Sequence, residues 1–301
     1  MDAAGFYSIT VRTAIMPPCK FGGCVMNLIK PHKQGRKLRL NKIDPAETFD
    51  LPGKQKIEKF IEESTQEIGR LQDLLYADST QALLVVLEGM DTAGKDGTVR
   101  KVFDHVNPSG VLVKSFKVPT PLERAHDFLW RVHDAVPPLG KIGIFNRSHY
   151  EDVLVVRVHE EQFLPPHLLR DPNLWKKRHA MINDFELMLV QNGTRIVKIF
   201  LHISKKEQRD RMRERQTDPN KHWKLSEDDI KERAFWDRYQ KVYERVIENT
   251  STKHAPWYVV PADHKWVAHY LVASVVRDVL KDMNPHPHKV VDKRLLEMKI
   301  V

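Results

Sequence analysis

Hydrophobic positions along the chain fall into two rhythms. Between residues 54 and 76, Ile57, Phe60, Ile61, Ile68, Leu71 and Leu75 recur at helical spacing with charges between them. That predicts an amphipathic helix burying those six side chains. Residues 83–87 are instead a continuous apolar run ending at Gly89, the pattern of a parallel strand buried on both faces. A helix is predicted over 98–105 and a second strand over 111–118. Thr120, Pro121 and Glu123 then supply a cap, a first-turn proline and a capping-box acid. The helix they open is expected to carry Leu122, Leu129, Val132 and Val136 inward.

The alternation continues to the end of the chain. Strands are predicted at 142–145, 195–203 and 257–260, and helices at 174–190, 226–247 and 266–283, with a very basic helix opened by Ser204 and Glu207. The 174–190 helix is stopped by Asn192-Gly193 and the 226–247 helix is capped by Ser226. Strands alternating with helices predict an α/β fold, a parallel sheet flanked by helices on both faces. Residues 1–50 lack sustained periodicity and read as a partly disordered N-terminal arm, 51–290 as one domain, and 291–301 as a C-terminal tail. Residues 1–25 hold both cysteines, Cys19 and Cys24, and precede Met26, an alternative start. They are expected to be dispensable.

Composition narrows the partners. The 301 residues are 41% hydrophobic and 30% charged, too apolar for a disordered chain. No apolar run approaches the roughly 20 residues of a membrane span, and the N-terminus lacks a secretory apolar core. A cytoplasmic protein with no membrane partner is therefore expected. Lys plus Arg number 49 against 40 Asp plus Glu, a formal charge of +9. That points to an anionic partner. Without a recognition module or an interleaved basic–aromatic patch, nucleic acid is not expected to be it.

The chemistry is concentrated after two strands. Gly89-Met90-Asp91-Thr92-Ala93-Gly94-Lys95-Asp96 matches the phosphate-binding G-x-x-x-x-G-K loop between an apolar strand and a helix. Gly89, Gly94, Lys95, Asp96, Gly97 and Thr98 belong to the phosphate cradle. Lys95, at the exposed end of the loop, supplies a mobile cation needed for transfer rather than for folding. Asp96 stands where Ser or Thr usually ligates Mg2+. Asp91 is therefore the first candidate metal ligand, and Asp96 also reads as a helix N-terminal acid. The strand at 142–145 runs into Asn146-Arg147-Ser148-His149-Tyr150-Glu151-Asp152. There Arg147 suits a phosphate clamp, and Glu151 suits metal holding or acceptor orientation. Asp152 and His149 read as structural. In the basic helix, Arg209 and Arg213 share a face suited to phosphates. The same charges also fit a solvated, salt-bridge-laced surface. By analogy with small P-loop kinases, residues 204–226 would form a lid.

These motifs resemble the polyphosphate kinase 2 family over nearly all of residues 28–285. The resemblance rests on 88–100, Pro108-Ser109-Gly110, Ser115-Phe116-Lys117-Val118-Pro119, His126-Asp127-Phe128-Leu129-Trp130-Arg131, 145–156, His222-Trp223-Lys224 and 255–263. It implies a P-loop kinase-like, thymidylate-kinase-like fold with a helical lid, Mg2+ as cofactor, inorganic polyphosphate as donor and a nucleotide as acceptor. Asn146 stands where the family often has Asp. Together with Glu151 it is similar to the class III members, which take AMP and ADP; GMP and GDP are further acceptors to test. Lys117, Asn146, Arg147 and Glu151 are the expected acceptor residues, Asp91, Lys95, Arg147 and Glu151 the expected catalytic group, and a homo-oligomer is expected. Two rivals stay open at this point: an ATP-dependent nucleoside monophosphate kinase, and a non-enzymatic polyanion-binding protein.

Overall fold

The computed structural model describes residues 28–287 together with Arg294, Glu297, Met298 and Ile300. The element order is α1 (Lys54–Asp78), β1 (Ala82–Gly89), α2 (Lys95–Val102), β2 (Val111–Lys114), α3 (Pro121–Arg124), α4 (Trp130–His133) and β3 (Ile142–Asn146). Three one-turn helices follow, α5 (Val155–Val158), α6 (Glu160–Phe163) and α7 (Pro166–Leu169). The chain continues through α8 (Leu174–Gln191), β4 (Thr194–His202), α9 (Lys205–Thr217), α10 (Glu227–Glu232), α11 (Trp236–Thr250), β5 (Trp257–Pro261) and α12 (Lys265–Met283).

The strands form one parallel sheet in the order β2-β3-β1-β4-β5. Every residue of β1 is buried. A strand with no polar face must be central and covered on both sides, and helices α1, α2 and α12 pack together while α8 packs on β4 and α11. Register pairs Leu87 with Asn146 and Gly89 with Leu201, so the carboxyl ends of β1, β3 and β4 lie together. A Cβ on Gly89 would stand 2.9 Å from the Leu201 carbonyl oxygen, so only glycine lets β4 approach this closely.

Where local pattern and fold differ, a tertiary or side-chain contact intervenes. Phe60 is exposed, although its five companions on α1 are buried. β2 stops at Lys114 instead of continuing to 118, because Phe116 turns inward against Phe145 with ring centroids 5.0 Å apart. The Thr120–Glu123 capping box forms in full, yet its helix lasts one turn and Leu122 is exposed. Asp127 Oδ1 accepts from the Leu129 N–H at 2.9 Å, offering the backbone an alternative to helix. Ser204 caps α9, but Glu207 turns its carboxylate to Arg211 instead of closing a capping box. The helix expected over 226–247 is broken by a 3-10 turn at Arg233–Phe235. There Arg233 reaches the Lys205 carbonyl at 2.7 Å and Gln208 Oε1 at 2.8 Å, tying the bend to α9.

The stretch expected to be a loose arm is packed where it is described. His32 N–H donates to the Trp257 carbonyl at 2.8 Å, Leu38 N–H to Glu248 at 2.7 Å and Leu40 N–H to Glu244 at 2.8 Å. Leu38 and Leu40 join the hydrophobic core. The expectations for Cys19, Cys24 and residues 1–25 lie outside the described residues, as does most of 291–301. Replacing Leu40 by Ala deletes a fully buried side chain. Its expected cost is about 2–4 kcal/mol in denaturant unfolding, and a loss under about 0.5 kcal/mol would mean that this segment is only loosely attached.

Candidate active site

Two loops leave the sheet side by side. The Arg147 N–H donates to the Leu87 carbonyl at 3.2 Å, stitching the loop after β3 to the end of β1. The loop after β1 turns through Gly94 at φ 103°, which caps α2, and the Thr98 N–H closes the first helical turn on the Gly94 carbonyl at 2.9 Å. Thr92 (φ 66°) and Arg147 (φ 63°) both hold left-handed backbone without being glycine. Such conformations cost on the order of 1–3 kcal/mol each and persist where the surroundings enforce them.

Arg147 crosses between the loops and donates to Asp91 Oδ1 at 2.7 Å. Asn146 Nδ2 donates to Asp96 Oδ1 at 2.6 Å. Asp96 is therefore held by the second loop, in the first turn of α2. Below them Glu88 is fully buried and accepts from Ser148 Oγ at 2.7 Å, while its Oε2 has no hydrogen-bond partner. Lys95 is not at the exposed end of the loop. It is only 9% exposed and folds back on the carbonyls of Gly89 and Met90. The arch of the loop encloses the ammonium group, which closes the cradle on itself.

Charge in this enclosure is unevenly balanced. Glu88, Asp91 and Glu151 face Lys95 and Arg147. Burial pushes the Glu151 carboxyl up to about 8, and the nearby Glu88 adds to that against the pull of Arg147 and Lys95. Burial likewise raises Glu88, opposed by Ser148, Lys95 and Arg147. The Lys95 ammonium is lowered by burial and then by Arg147. Burial works against the Arg147 charge too, but Glu151, Asp91 and Glu88 more than offset it. Perturbations of this kind gather where a site is built to take up charge.

The second loop is anchored from beneath. Lys198, fully buried on β4, donates to Glu186 Oε2 at 2.6 Å, to the Tyr150 hydroxyl at 2.8 Å and to the Thr250 carbonyl at 2.7 Å. Tyr150 donates to Glu186 at 2.8 Å, and His149 lies 3.3 Å from the same carboxylate. His149 is thus part of a buried network and not a group facing the loops. Asp152 pairs with the buried Arg131 at 3.5 Å, and its carbonyl accepts from Arg178 at 2.6 Å. Lys117 stands apart: its side chain is exposed, and only its carbonyl is engaged, by Arg131 at 2.8 Å.

The basic helix divides by face. Arg211 is buried and spans the loop: it donates to the carbonyls of Thr92 (2.9 Å), Ala93 (3.0 Å), Ala262 (2.6 Å) and Asp263 (3.0 Å) and to Glu207 (2.7 Å). Gln208 donates to the Asp91 carbonyl at 3.2 Å. Arg209 and Arg213 point elsewhere. With Arg215, Arg233 and Asp229 they line a cleft of about 180 Å3 between α9 and α10. Arg213 has no ion pair among the described residues, and Arg209 meets only Asp210 at 3.2 Å. Asp229 feels both Asp91 and Arg147, so the cleft adjoins the two loops.

The oxygen donors suit a hard divalent cation. Among the described residues no three His, Cys, Asp or Glu side chains form a metal cluster. Asp91 has only one carboxylate oxygen engaged, and the Thr92 hydroxyl is buried without a hydrogen-bond partner. One carboxylate with phosphate oxygens and water completing the shell is the mode Mg2+ favours, whereas an all-protein cage would need more ligands.

The sequence profile described as Polyphosphate kinase 2 (PPK2) matches residues 53–288. The chain belongs to this family. Within it, the chain is 46% identical over 265 residues to the AMP/ADP-polyphosphate phosphotransferase of Meiothermus ruber, spanning 87% of this chain and 96% of that one. It is 40% identical to the ADP-polyphosphate phosphotransferase of Rhodopseudomonas palustris, over 88% of this chain and 94% of that one. The crystal structure of polyphosphate kinase 2 from Arthrobacter aurescens superposes with a TM-score of 0.83 at 38% identity, covering 94% of this chain and 99% of that one. The P-loop kinase-like α/β fold expected from the sequence is the fold observed, and kinases of this kind generally need a divalent metal.

Sequence reasoning brought Asp91, Lys95, Arg147 and Glu151 forward, and the fold gathers all four. It gave no role to Arg211, Glu88 or Asp229. The signal for Arg211 was its place four residues after Glu207, and that for Asp229 its place three residues after the cap Ser226. Glu88 gave none beyond a lone acid ending an apolar strand.

Glu151 yields a stability test. Its carboxyl is pushed from an ordinary 4.5 up to about 8. Within that window the folded chain keeps a proton that the unfolded chain releases, so this group's contribution to stability declines as pH rises from about 4.5 to about 8. Glu151→Gln removes the titration. In denaturant melts with chelator present, the variant should therefore gain on the parent steadily across that window, and parallel profiles would show that Glu151 is not held protonated.

Proposed function

We propose that this chain transfers a phosphoryl group from inorganic polyphosphate to AMP and ADP. The observation that carries this reading is the meeting of Asp91, Lys95, Arg147 and Glu151 at the carboxyl ends of β1 and β3, beside an arginine-lined cleft, in a polyphosphate kinase 2 chain. GMP and GDP are further acceptors in this reading, and the enzyme is taken as a cytoplasmic homo-oligomer.

Phosphoryl transfer asks mainly for positioning and charge stabilisation. An oxygen of the acceptor's terminal phosphate attacks the end phosphorus of the chain. The bridging P–O bond breaks, and the shortened polyphosphate leaves with the electron pair on its oxygen. Lys95 exchanges the Gly89 and Met90 carbonyls for donor phosphate oxygens. Arg147, pre-aimed by Asp91, neutralises the group in transit. Asp91 would hold Mg2+, which offsets charge on the phosphate oxygens when bound. Glu151, whose charge acts on Arg147, helps hold that guanidinium toward the acceptor. Arg209 and Arg213, with no carboxylate partner strong enough to claim them, lead the donor chain through the cleft, and the lid excludes water so that transfer outruns hydrolysis.

The direct test supplies polyphosphate without ATP and follows AMP, ADP, GMP and GDP side by side. ADP formed from AMP supports the reading, whereas turnover only with ATP would make the protein an ordinary nucleoside monophosphate kinase. Lys95→Met should lower kcat roughly a hundredfold or more while the chain stays folded by circular dichroism; an active variant would remove the phosphate-loop assignment. Arg209→Gln with Arg213→Gln should raise the KM for polyphosphate several-fold, by about 1 kcal/mol or more of lost contact, and leave the KM for AMP in place. Movement of the nucleotide KM alone would assign the cleft to the acceptor.

A further inference from the structure

A second concentration of positive charge lines a groove to which neither loop contributes a residue. The described arm, α11 and the one-turn helix α5 enclose a groove of about 540 Å3. Six cations line it: Lys37, Arg39, Arg157, Arg238, Lys241 and Arg245. Its carboxylates are already committed to the fold, Glu248 to the Leu38 N–H and Glu244 to the Leu40 N–H. Lys37, Arg39, Arg157 and Lys241 have no ion pair among the described residues, and Arg238 reaches Glu160 only at 3.9 Å. Arg245, itself exposed, pairs with the buried Glu248 at 3.0 Å.

These cations are held together against their own repulsion. Burial lowers the Arg157 guanidinium, and the nearby Arg245 and Arg238 charges lower it further, against Glu160. Arg238, Lys241 and Arg245 follow one another at three- and four-residue intervals along α11, a stripe running about 10 Å. A fold that packs an arm against this stripe, and turns the two acids of the groove to the arm's backbone, leaves a track in which cations outnumber carboxylates six to two. Folding alone gains nothing from such a track, and a linear polyanion would.

We propose that this groove is a second binding site for the polyphosphate chain, remote from the transferring end, that retains long donors. The identity of the ligand rests on the function proposed above. Nucleic acid fits the lining less well. Single strands are held by bases stacking on aromatic rings, and no aromatic residue lines the groove. The nearby Trp175 is already covered by Arg157 and Arg178.

The test neutralises cations whose side chains make no hydrogen bond or ion pair among the described residues: Lys37→Gln, Arg39→Gln and Lys241→Gln in one full-length chain. Binding of end-labelled long polyphosphate is read by fluorescence anisotropy at two salt concentrations. KM is measured in parallel for long chains and for chains of only a few phosphates. The triple variant should bind the long chain on the order of tenfold more weakly, with a shallower salt dependence. Its KM should rise for long donors only, with kcat unchanged and the melting temperature kept. The single variant Arg39→Lys, which keeps the charge, should behave as the parent. Equal losses for long and short chains, or no loss of long-chain binding, would overturn the proposal. So would a labelled single-stranded RNA that loses affinity in the triple variant while polyphosphate does not, which would turn the groove into a nucleic-acid site. A parent enzyme that transfers nothing from polyphosphate would sink the proposed activity alone, because the anisotropy titration still reads the groove without turnover.

Discussion

The Arg147–Asp91 bridge is the contact on which the arrangement of the site depends. At 2.7 Å it fastens the loop after β3 to the loop after β1, and it does so from a backbone that most residues avoid. Either loop alone would be a turn at the end of a strand. Joined, they enclose Lys95, Glu88 and Glu151 in surroundings dry enough to raise two carboxyls and lower an ammonium. Strain at Arg147 and Thr92 is sustained from two sides. The buried Lys198–Glu186–Tyr150 network holds the second loop from below, and Arg211 grips two carbonyls of the first from above. A buried ion pair of this kind is weak evidence for stability and better evidence for a fixed geometry.

Much of the fold was legible because its strands are apolar runs and its long helices carry apolar stripes. All five strands lie within a few residues of their predicted bounds, and β1 shows why: with both faces buried, its sequence has no competing period to read. Legibility fails where distant side chains decide. Nothing local stops β2 at Lys114; the inward turn of Phe116 onto Phe145 does. Nothing local breaks the helix before Trp236; Arg233 reaching for α9 does. The arm over 28–50 carries too few apolar residues for a pattern, yet Leu38 and Leu40 are enough to seat it once α11 presents two carboxylates to its backbone.

The site divides in the same way. Residues in motifs, such as Asp91 and Arg147, are identified by position because a strand end leaves them few places to go. Lys95 sits elsewhere than its motif implies. Seen as a motif it belongs on a surface, but the loop's own carbonyls, with Glu88, Asp91 and Glu151 nearby, draw it inward. That contact is compatible with function because carbonyls are weaker partners for an ammonium than phosphate oxygens are.

The arginines of α9 carry the argument one step further. Four of them occupy odd positions from 209 to 215, and spacing alone makes them near equivalents. The fold does not treat them so. Arg211 is buried and spent on backbone carbonyls, and Arg215 is paired with Asp229. Arg209 and Arg213 are left facing a cleft. What separates them is which partner each one meets, the loops after β1 and β5 for Arg211 and Asp229 of α10 for Arg215, which a helix without an apolar stripe does not encode. The same sorting, cations with a structural partner against cations without one, separates the groove on α11 from an ordinary charged surface. In a protein with nine more basic than acidic residues, total charge says only that an anion is welcome. The cations that the fold declines to pair say where it would lie.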